Sequence, residues 1–259
     1  MGWGHPIRAA VDKYDSLASN FRPPIGHYGW IVVTNLNTLN SAKWALAMLS
    51  EIMDVIEQSC DEREACSVML TGGKSALALY KAWIKLPGFS SLKNIHFYFG
   101  DERCVPPYHV ESNYGLAMRT LFQHGVPPSC NVIRIPAEHP DREATAKMYE
   151  AQLPERLDIL LLSMGEDGHI ASLFPHSSAL FETRRRMVHV MAPKPPFARL
   201  TVTPSVITGA RHVFVMALGA AKASTFREAR LAPYDIAGLP ARLVLNAKWF
   251  LGGPPSSTV

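Results

Sequence analysis

The chain has 259 residues, 47% of them hydrophobic and 19% charged, which is enough to bury a sizeable core in one large or two small domains. The formal net charge of +4 is spread along the sequence, apart from the short cluster Arg184-Arg185-Arg186. A nucleic-acid-binding surface needs a concentrated basic face, so the composition argues against a nucleic-acid partner. Proline-rich breaks separate complete strand and helix units, so we interpret them as loops and predict a single domain over residues 1–259.

The N-terminal segment lacks the features of an export signal. Arg8, Asp12 and Lys13 interrupt the stretch that would have to be apolar. No apolar run approaches the roughly 18 residues that a membrane span requires, so we expect no membrane partner. We interpret residues 1–28 as an N-terminal extension and first helix. The four cysteines show no paired or zinc-like spacing, which is typical of a reducing compartment, and we expect a cytoplasmic protein.

Short apolar runs alternate with helical patterns along the rest of the chain, which predicts a parallel sheet wrapped by helices. Strands are predicted at residues 30–33, 67–70, 95–99, 132–135, 158–162, 187–191 and 213–218. Helices are predicted to begin near Ser41, Ser75, Glu111, Arg142, Pro204 and Ala220. The first of these is the clearest, because its apolar residues recur at helical spacing behind a cap at Asn40 or Ser41, and we expect that face to pack in the core.

Four loops share one arrangement, in which an apolar strand ends and glycines and polar residues follow. The loops begin at Thr71, Gly100, Ser163 and Gly219. The carboxyl ends of parallel strands face one crevice, and ligands bind there. Any one of these loops could be an ordinary glycine turn, but the four together predict a common site.

The loop Thr71-Gly72-Gly73-Lys74-Ser75 opens a helix, so its free amides and the positive end of the helix dipole could hold a phosphate. The spacing fits neither a Walker loop nor a nucleophile elbow. Ser75 is therefore interpreted as a helix cap. No dinucleotide-binding glycine pattern follows any strand, which leaves nicotinamide and flavin cofactors unsupported.

Asp167-Gly168-His169 places a carboxylate and an imidazole two residues apart. Histidine is the usual general base near neutral pH, so His169 is a candidate base; a structural histidine is the equally weighted alternative. Metal binding is not expected, because the histidines show no ligand spacing.

Three cations are further candidates. Arg103 follows two acids that could fix its orientation, and it could serve either catalysis or an ion pair that holds the loop. Arg199 and Lys222 lie beside strand ends and suit a phosphate dianion, although each could also be a solvated charge.

Several segments together resemble the 6-phosphogluconolactonases: "LTGGKSALALY", "FYFGDERCVPPYHVESNYGLAM", "LLLSMGEDGHIASLFP", "ARLTVTPSVITGARHVFVMALGAAKA" and "LPARLV". The resemblance implies a three-layer α/β sandwich with a mostly parallel central sheet, shared with glucosamine-6-phosphate deaminases. It also implies hydrolysis of 6-phospho-D-glucono-1,5-lactone in the oxidative pentose phosphate pathway, with no metal or organic cofactor. The partner would be the small-molecule sugar-phosphate lactone, with functional coupling to the dehydrogenases of that pathway.

The resemblance also implies roles for individual residues. His169 would activate water with Asp167 orienting it, and Arg103 would stabilise charge on the substrate. The substrate-binding residues would be Gly72, Gly73, Lys74, Ser75, Asp101, Arg199 and Lys222.

Two features of the sequence differ from the usual lactonase pattern. Ile170 is closer to the "GHIAF" pattern of the deaminases, whereas "ASLFP" and "DERCV" match the lactonases. Lys74 replaces a hydroxyl residue of the usual "GGSTP" loop. A deaminase-like isomerase and a non-catalytic sugar-phosphate sensor therefore stay as alternatives.

Overall fold

The computed structural model describes residues 43–231 and 233–252. The predicted strand at residues 30–33, the cap at Asn40 or Ser41 and the extension at residues 1–28 lie outside these described residues. No helix in the described part of the chain is long and apolar enough to cross a membrane.

The strands of the described residues form two sheets. In chain order they are β1 (Cys66–Leu70), β2 (Lys93–Phe99), β3 (Asp101–Arg103), β4 (Ser129–Val132), β5 (Ile159–Ser163), β6 (Met187–Met191), β7 (Ala198–Val202), β8 (His212–Leu218) and β9 (Lys248–Gly252). The larger sheet has six strands in the order β4-β2-β1-β5-β8-β9, and every neighbouring pair is parallel. The smaller sheet is antiparallel, with the order β3-β7-β6.

Helices flank the parallel sheet and complete the three-layer α/β architecture that the sequence predicts. They are α1 (Lys43–Arg63), α2 (Gly73–Trp83), α3 (Asn113–Thr120), α4 (Arg142–Glu150), α5 (Pro204–Gly209) and α6 (Ala220–Ala229), with short 3-10 turns at Phe89–Ser91, Ser178–Phe181 and Pro240–Val244. The predicted starts at Arg142, Pro204 and Ala220 are confirmed.

Burial explains why the central strands are uniformly apolar. Residues 159–162 of β5 are at most 1% exposed, because a parallel strand flanked by helices is covered on both faces. The apolar face of α1 is also buried, with Trp44, Met48 and Ile52 fully enclosed. The predicted core packing of this helix is therefore confirmed.

Several predicted elements need correction. The strand at residues 187–191 forms, but it is β6 of the antiparallel sheet, because the short connection to β7 permits only an antiparallel return. The strand predicted at residues 132–135 lies earlier, where β4 pairs Ser129 with Lys93 of β2. The strands β3, β7 and β9, which have three, five and five residues, were not predicted from the sequence.

Candidate active site

The site lies where the order of the parallel strands reverses. From β1 the chain continues outward to β2 and β4, and it then returns to β5 on the other side of β1. Ligands of α/β proteins bind at such a switch point, beyond the carboxyl ends of the strands. A cavity of about 540 Å³ opens there, and its lining includes Thr71, Asp101, Ser163 and Lys222, one residue from each of the four predicted loops.

His169 and Asp167 form a hydrogen-bonded pair in the turn after β5. The Nδ1 atom of His169 contacts Oδ1 of Asp167, and the backbone N–H of His169 donates to the same oxygen over 3.2 Å. Partial burial alone would raise the pKa of Asp167, but the hydrogen bond and charge of His169 outweigh it and lower that pKa to about 2. Nε2 of His169 has no hydrogen-bond partner among the described residues, so it is the ring nitrogen left for a ligand or water.

Two neighbours fix the plane of the imidazole. The ring of Phe174 lies 4.6 Å from that of His169 between centroids. Gly165 is the second neighbour, because a Cβ atom added there would lie 2.1 Å from both Nδ1 and Cε1 of His169. Position 165 therefore requires a glycine, because any side chain would occupy the place of the ring.

Asp101 is a nearly buried carboxylate that lines the cavity. Its Oδ2 accepts a 2.6 Å hydrogen bond from the hydroxyl of Ser172, and its Oδ1 accepts one of 3.0 Å from Nδ2 of Asn113. A Cβ atom on Gly72 would lie 1.8 Å from Oδ1 of Asn113, so the glycine lets this amide pack against the loop after β1. Neither the role of Asn113 nor the contact of Ser172 with Asp101 was predicted from the sequence.

The orientation of Arg103 has a different cause from the one that the sequence predicts. Its guanidinium contacts the backbone oxygen of Glu111 and lies 3.5 Å from the carboxylate of the same residue. Neither adjacent acid pairs with the guanidinium: Asp101 bonds Ser172 and Asn113, and Glu102 accepts hydrogen bonds from the start of α3. Nε of Arg103 is buried with no partner among the described residues.

Three lysines and two arginines make the cavity cationic. Lys74, Lys194 and Lys222 line it and form no ion pair in the described part of the chain. Burial lowers the pKa of Lys222; Glu166 opposes this, whereas the charges of Lys194 and Lys74 lower it further. Such mutual repulsion favours binding of an anion. Lys194 was not predicted as a site residue, because its proline-rich segment was interpreted only as a loop.

Arg199 is nearly buried at the wall of the cavity. Its Nε donates to the carbonyl of Pro196 over 3.0 Å, and its guanidinium lies 5.3 Å from the ring centroid of Phe174. Burial lowers the pKa of Arg199 and the charge of Asp101 opposes that shift, but an arginine remains protonated in proteins.

The loop after β1 places its glycines at the cavity. Gly72 is the N-cap of α2, and Gly73 has a φ of 89°, in the left-handed region that glycine adopts without strain. The predicted cap at Ser75 is wrong, because the helix begins two residues earlier at this turn. Ser75 is buried, its hydroxyl has no partner among the described residues, and it does not line the cavity, whereas Lys74 does.

Among the described residues, no group of three or more His, Cys, Asp or Glu side chains is placed to hold a metal ion.

Comparisons with known proteins agree with this arrangement. A family model described as glucosamine-6-phosphate isomerases/6-phosphogluconolactonase matches residues 40–251. A 6-phosphogluconolactonase of Haemophilus influenzae is 33% identical over 195 residues, which cover 71% of this chain and 83% of the relative. A chloroplastic 6-phosphogluconolactonase of Arabidopsis thaliana is 33% identical over 228 residues, covering 79% of this chain and 68% of the relative.

Solved structures give the same result. A 6-phosphogluconolactonase from Shewanella baltica superposes with a TM-score of 0.73 and 25% identity, covering 83% of this chain and 94% of that one. The enzyme from Trypanosoma brucei superposes with a TM-score of 0.71 and 26% identity, covering 83% and 92%. The chain therefore belongs to the glucosamine-6-phosphate isomerase/6-phosphogluconolactonase family.

Proposed function

We propose that this chain is a lactone hydrolase that converts 6-phospho-D-glucono-1,5-lactone to 6-phospho-D-gluconate in the oxidative pentose phosphate pathway. One observation carries the proposal: a histidine oriented by a carboxylate shares a cavity with lysines that form no ion pair with any described residue. The histidine and its carboxylate suit the activation of water, and the lysines suit the binding of a phosphate dianion. The curated relatives and structural neighbours named above support the same activity.

In the proposed mechanism His169 is the general base. Asp167 holds Nδ1, so that Nε2 takes a proton from a water molecule as its oxygen attacks the lactone carbonyl. The bond between the carbonyl carbon and the ring oxygen then breaks. The imidazolium returns its proton to the departing ring oxygen, which becomes a hydroxyl. The carbonyl carbon is then that of a carboxylic acid, which releases its proton to solvent and becomes the carboxylate.

Arg103 is proposed to stabilise the negative charge that develops on the carbonyl oxygen. Its contact with Glu111 holds the guanidinium in place before the substrate arrives, and preorganised donors are the most effective kind. Loss of one such donor typically costs about 2.7–4 kcal/mol of transition-state stabilisation.

The remaining cations are proposed to bind the phosphate. Lys222, Arg199 and Lys74, with the amides of Gly72 and Gly73, would hold the dianion, and Lys194 joins this set because it lines the same cavity. Anchoring a group remote from the reaction supplies binding energy that aligns the lactone ring for attack. We propose Asp101 as a further substrate-binding residue and leave Ser75 out of direct contact.

We also propose that the reaction needs no metal or organic cofactor and that the protein works in the cytoplasm beside the dehydrogenases of the pathway. Among the relatives the Arabidopsis protein is named as chloroplastic, so the location needs its own test. Imaging of a tagged protein in the source cell would test it.

The function is tested by following the loss of 6-phosphogluconolactone with purified protein, corrected for spontaneous hydrolysis. We expect decay well above the buffer blank, unchanged by EDTA. Ammonia release from glucosamine 6-phosphate is the matched assay for the deaminase alternative, which Ile170 favours in the sequence. Decay equal to the blank, or ammonia release in its place, would contradict the proposal.

A further inference from the structure

Ser172 is a fully buried serine whose hydroxyl reaches across the site. It lies three residues after His169, in the turn that follows β5, and it donates to Oδ2 of Asp101 over 2.6 Å. Its own backbone N–H donates to Oγ1 of Thr201 over 3.1 Å. Ser172 is thus bonded twice to the small antiparallel sheet, in which Asp101 and Thr201 are register partners.

These bonds connect the two walls of the cavity. His169 belongs to the loop after β5 of the parallel sheet, whereas Asp101 belongs to β3 of the antiparallel sheet. In the described part of the chain, the hydrogen bond from Ser172 to Asp101 joins the loop that holds His169 to the carboxylate of Asp101. It therefore sets how far the Asp101 carboxylate lies from the histidine and in which direction its oxygens face.

The hydrogen bonds around Asp101 leave it able to accept more. An ionised carboxylate has about four lone-pair positions, and Ser172 and Asn113 use one on each oxygen. Arg199 acts on Asp101 through its charge but is not hydrogen-bonded to it in the described structure. Asp101 is 5% exposed and lines the cavity, so its remaining acceptor positions can be satisfied only by what enters the cavity.

The proposed substrate offers one kind of donor to such a group. The phosphate dianion, the carbonyl and the ring oxygen all accept hydrogen bonds, so only the ring hydroxyls can donate. We propose that Ser172 is a positioning residue that aims the Asp101 carboxylate at a ring hydroxyl of the lactone and so contributes to sugar recognition. This inference rests on the proposed lactonase function.

A substrate series measures the effect directly. We compare kcat/KM for 6-phosphogluconolactone with that for its three analogues lacking one ring hydroxyl each. A site built to bind a hydroxyl rejects the analogue that lacks it, so the wild-type protein should process one analogue about 10- to 100-fold less well. In Ser172→Ala this penalty should fall to about 3-fold or less, because the carboxylate is no longer held toward that hydroxyl.

The chain supplies a matched control at the opposite end of the sheet. Ser67 is a buried serine that donates to buried Asp158 over 2.7 Å, but it lies in β1 and does not line the cavity. Ser67→Ala removes the same kind of bond and should leave the penalty for the analogue at its wild-type value. Ser172→Cys has a slightly larger side chain of the same shape with a weaker donor, and it should give an intermediate penalty.

The comparison of analogues separates positioning from stability. The penalty is a ratio measured on one preparation, so a partly unfolded sample lowers every rate and leaves the ratio unchanged. An unchanged penalty in Ser172→Ala and Ser172→Cys, or a wild-type protein that processes all the lactones equally, would overturn the inference while the lactonase function stood. A wild-type protein that does not hydrolyse 6-phosphogluconolactone at all would overturn both.

Discussion

Gly165→Ala is the substitution that tests the placement of the imidazole without changing any reactive group. The φ angle of Gly165 is not in the left-handed region, so alanine can adopt the backbone conformation there. The new methyl group, however, would lie 2.1 Å from Nδ1 and Cε1 of His169 and 2.6 Å from Oδ1 of Asp167. The substitution therefore forces the pair to move while both side chains remain present.

The size of the displacement follows from the contact distances. Ordinary van der Waals contact with a Cβ atom begins at 3.4 Å, so the ring must retreat by about 3.4 − 2.1 = 1.3 Å. A misplacement of about 1 Å can cost about 10²-fold in rate when the group must be aligned with the reacting atoms. We expect kcat/KM for the lactone to fall by about that factor in Gly165→Ala.

The assay is the initial rate of lactone loss above the blank, with circular dichroism and thermal unfolding measured on the same samples. Gly209→Ala is the matched control, because a Cβ atom there meets nothing within 4 Å and its φ is likewise outside the left-handed region. It should retain the wild-type rate. A folded Gly165→Ala protein with the wild-type kcat/KM would refute the idea that the position of His169 governs catalysis.

Other substitutions test the remaining parts of the site. Asp167→Asn would present a donor to Nδ1 of His169 and should cost up to about 10⁴-fold in kcat. Because the pKa of Asp167 is lowered to about 2, its stabilising contribution is present above the ordinary value of 3.8 and lost only as the pH falls toward 2. Asp167 therefore stays ionised from pH 5 to 8, and an Asp167→Asn variant with no defect anywhere in that range would contradict the assignment. Lys74→Ser should raise KM and make KM less sensitive to ionic strength; unchanged KM and salt response would place Lys74 outside the site. Lys222→Ala should reduce the preference for phosphorylated over unphosphorylated lactone by about 10-fold or more, and a fully retained preference would mean that the phosphate binds elsewhere.

The parallel sheet, and the position of its loops at one edge, could be predicted from the sequence because the signals are local. The strands β1, β2, β5 and β8 are apolar runs followed directly by glycine and polar residues, so both the strand and its end are visible in the sequence. The rule that parallel strands share one carboxyl edge then brings distant loops together. Of the three candidate catalytic residues, Arg103, Asp167 and His169, all line the resulting cavity, and their roles stay predictions.

The antiparallel sheet and the contacts across it were not predictable in this way. β3 has three residues and is separated from β2 by Gly100 alone, so it reads as the start of a loop. The bond between Ser172 and Asp101 spans 71 positions in the sequence and depends on how the two sheets meet. The contact of Arg103 with Glu111 bypasses the acids that directly precede the arginine.

The predicted helix cap at Ser75 is wrong because a local rule placed the cap three residues too late. A serine at the start of an apolar helical pattern is normally a good cap. Here the left-handed Gly73 allows the chain to turn into the helix earlier, with Gly72 as the N-cap. The result exposes Lys74 to the cavity and buries Ser75.

The central claim is that His169 activates water for attack on the phosphorylated lactone. The most direct measurement is the single-turnover rate of 6-phosphogluconolactone loss for wild type and His169→Ala, side by side and corrected for the blank. We expect a wild-type rate far above the blank and a loss of about 10²- to 10⁴-fold in a variant with unchanged thermal unfolding. Equal rates for the two folded proteins would contradict it.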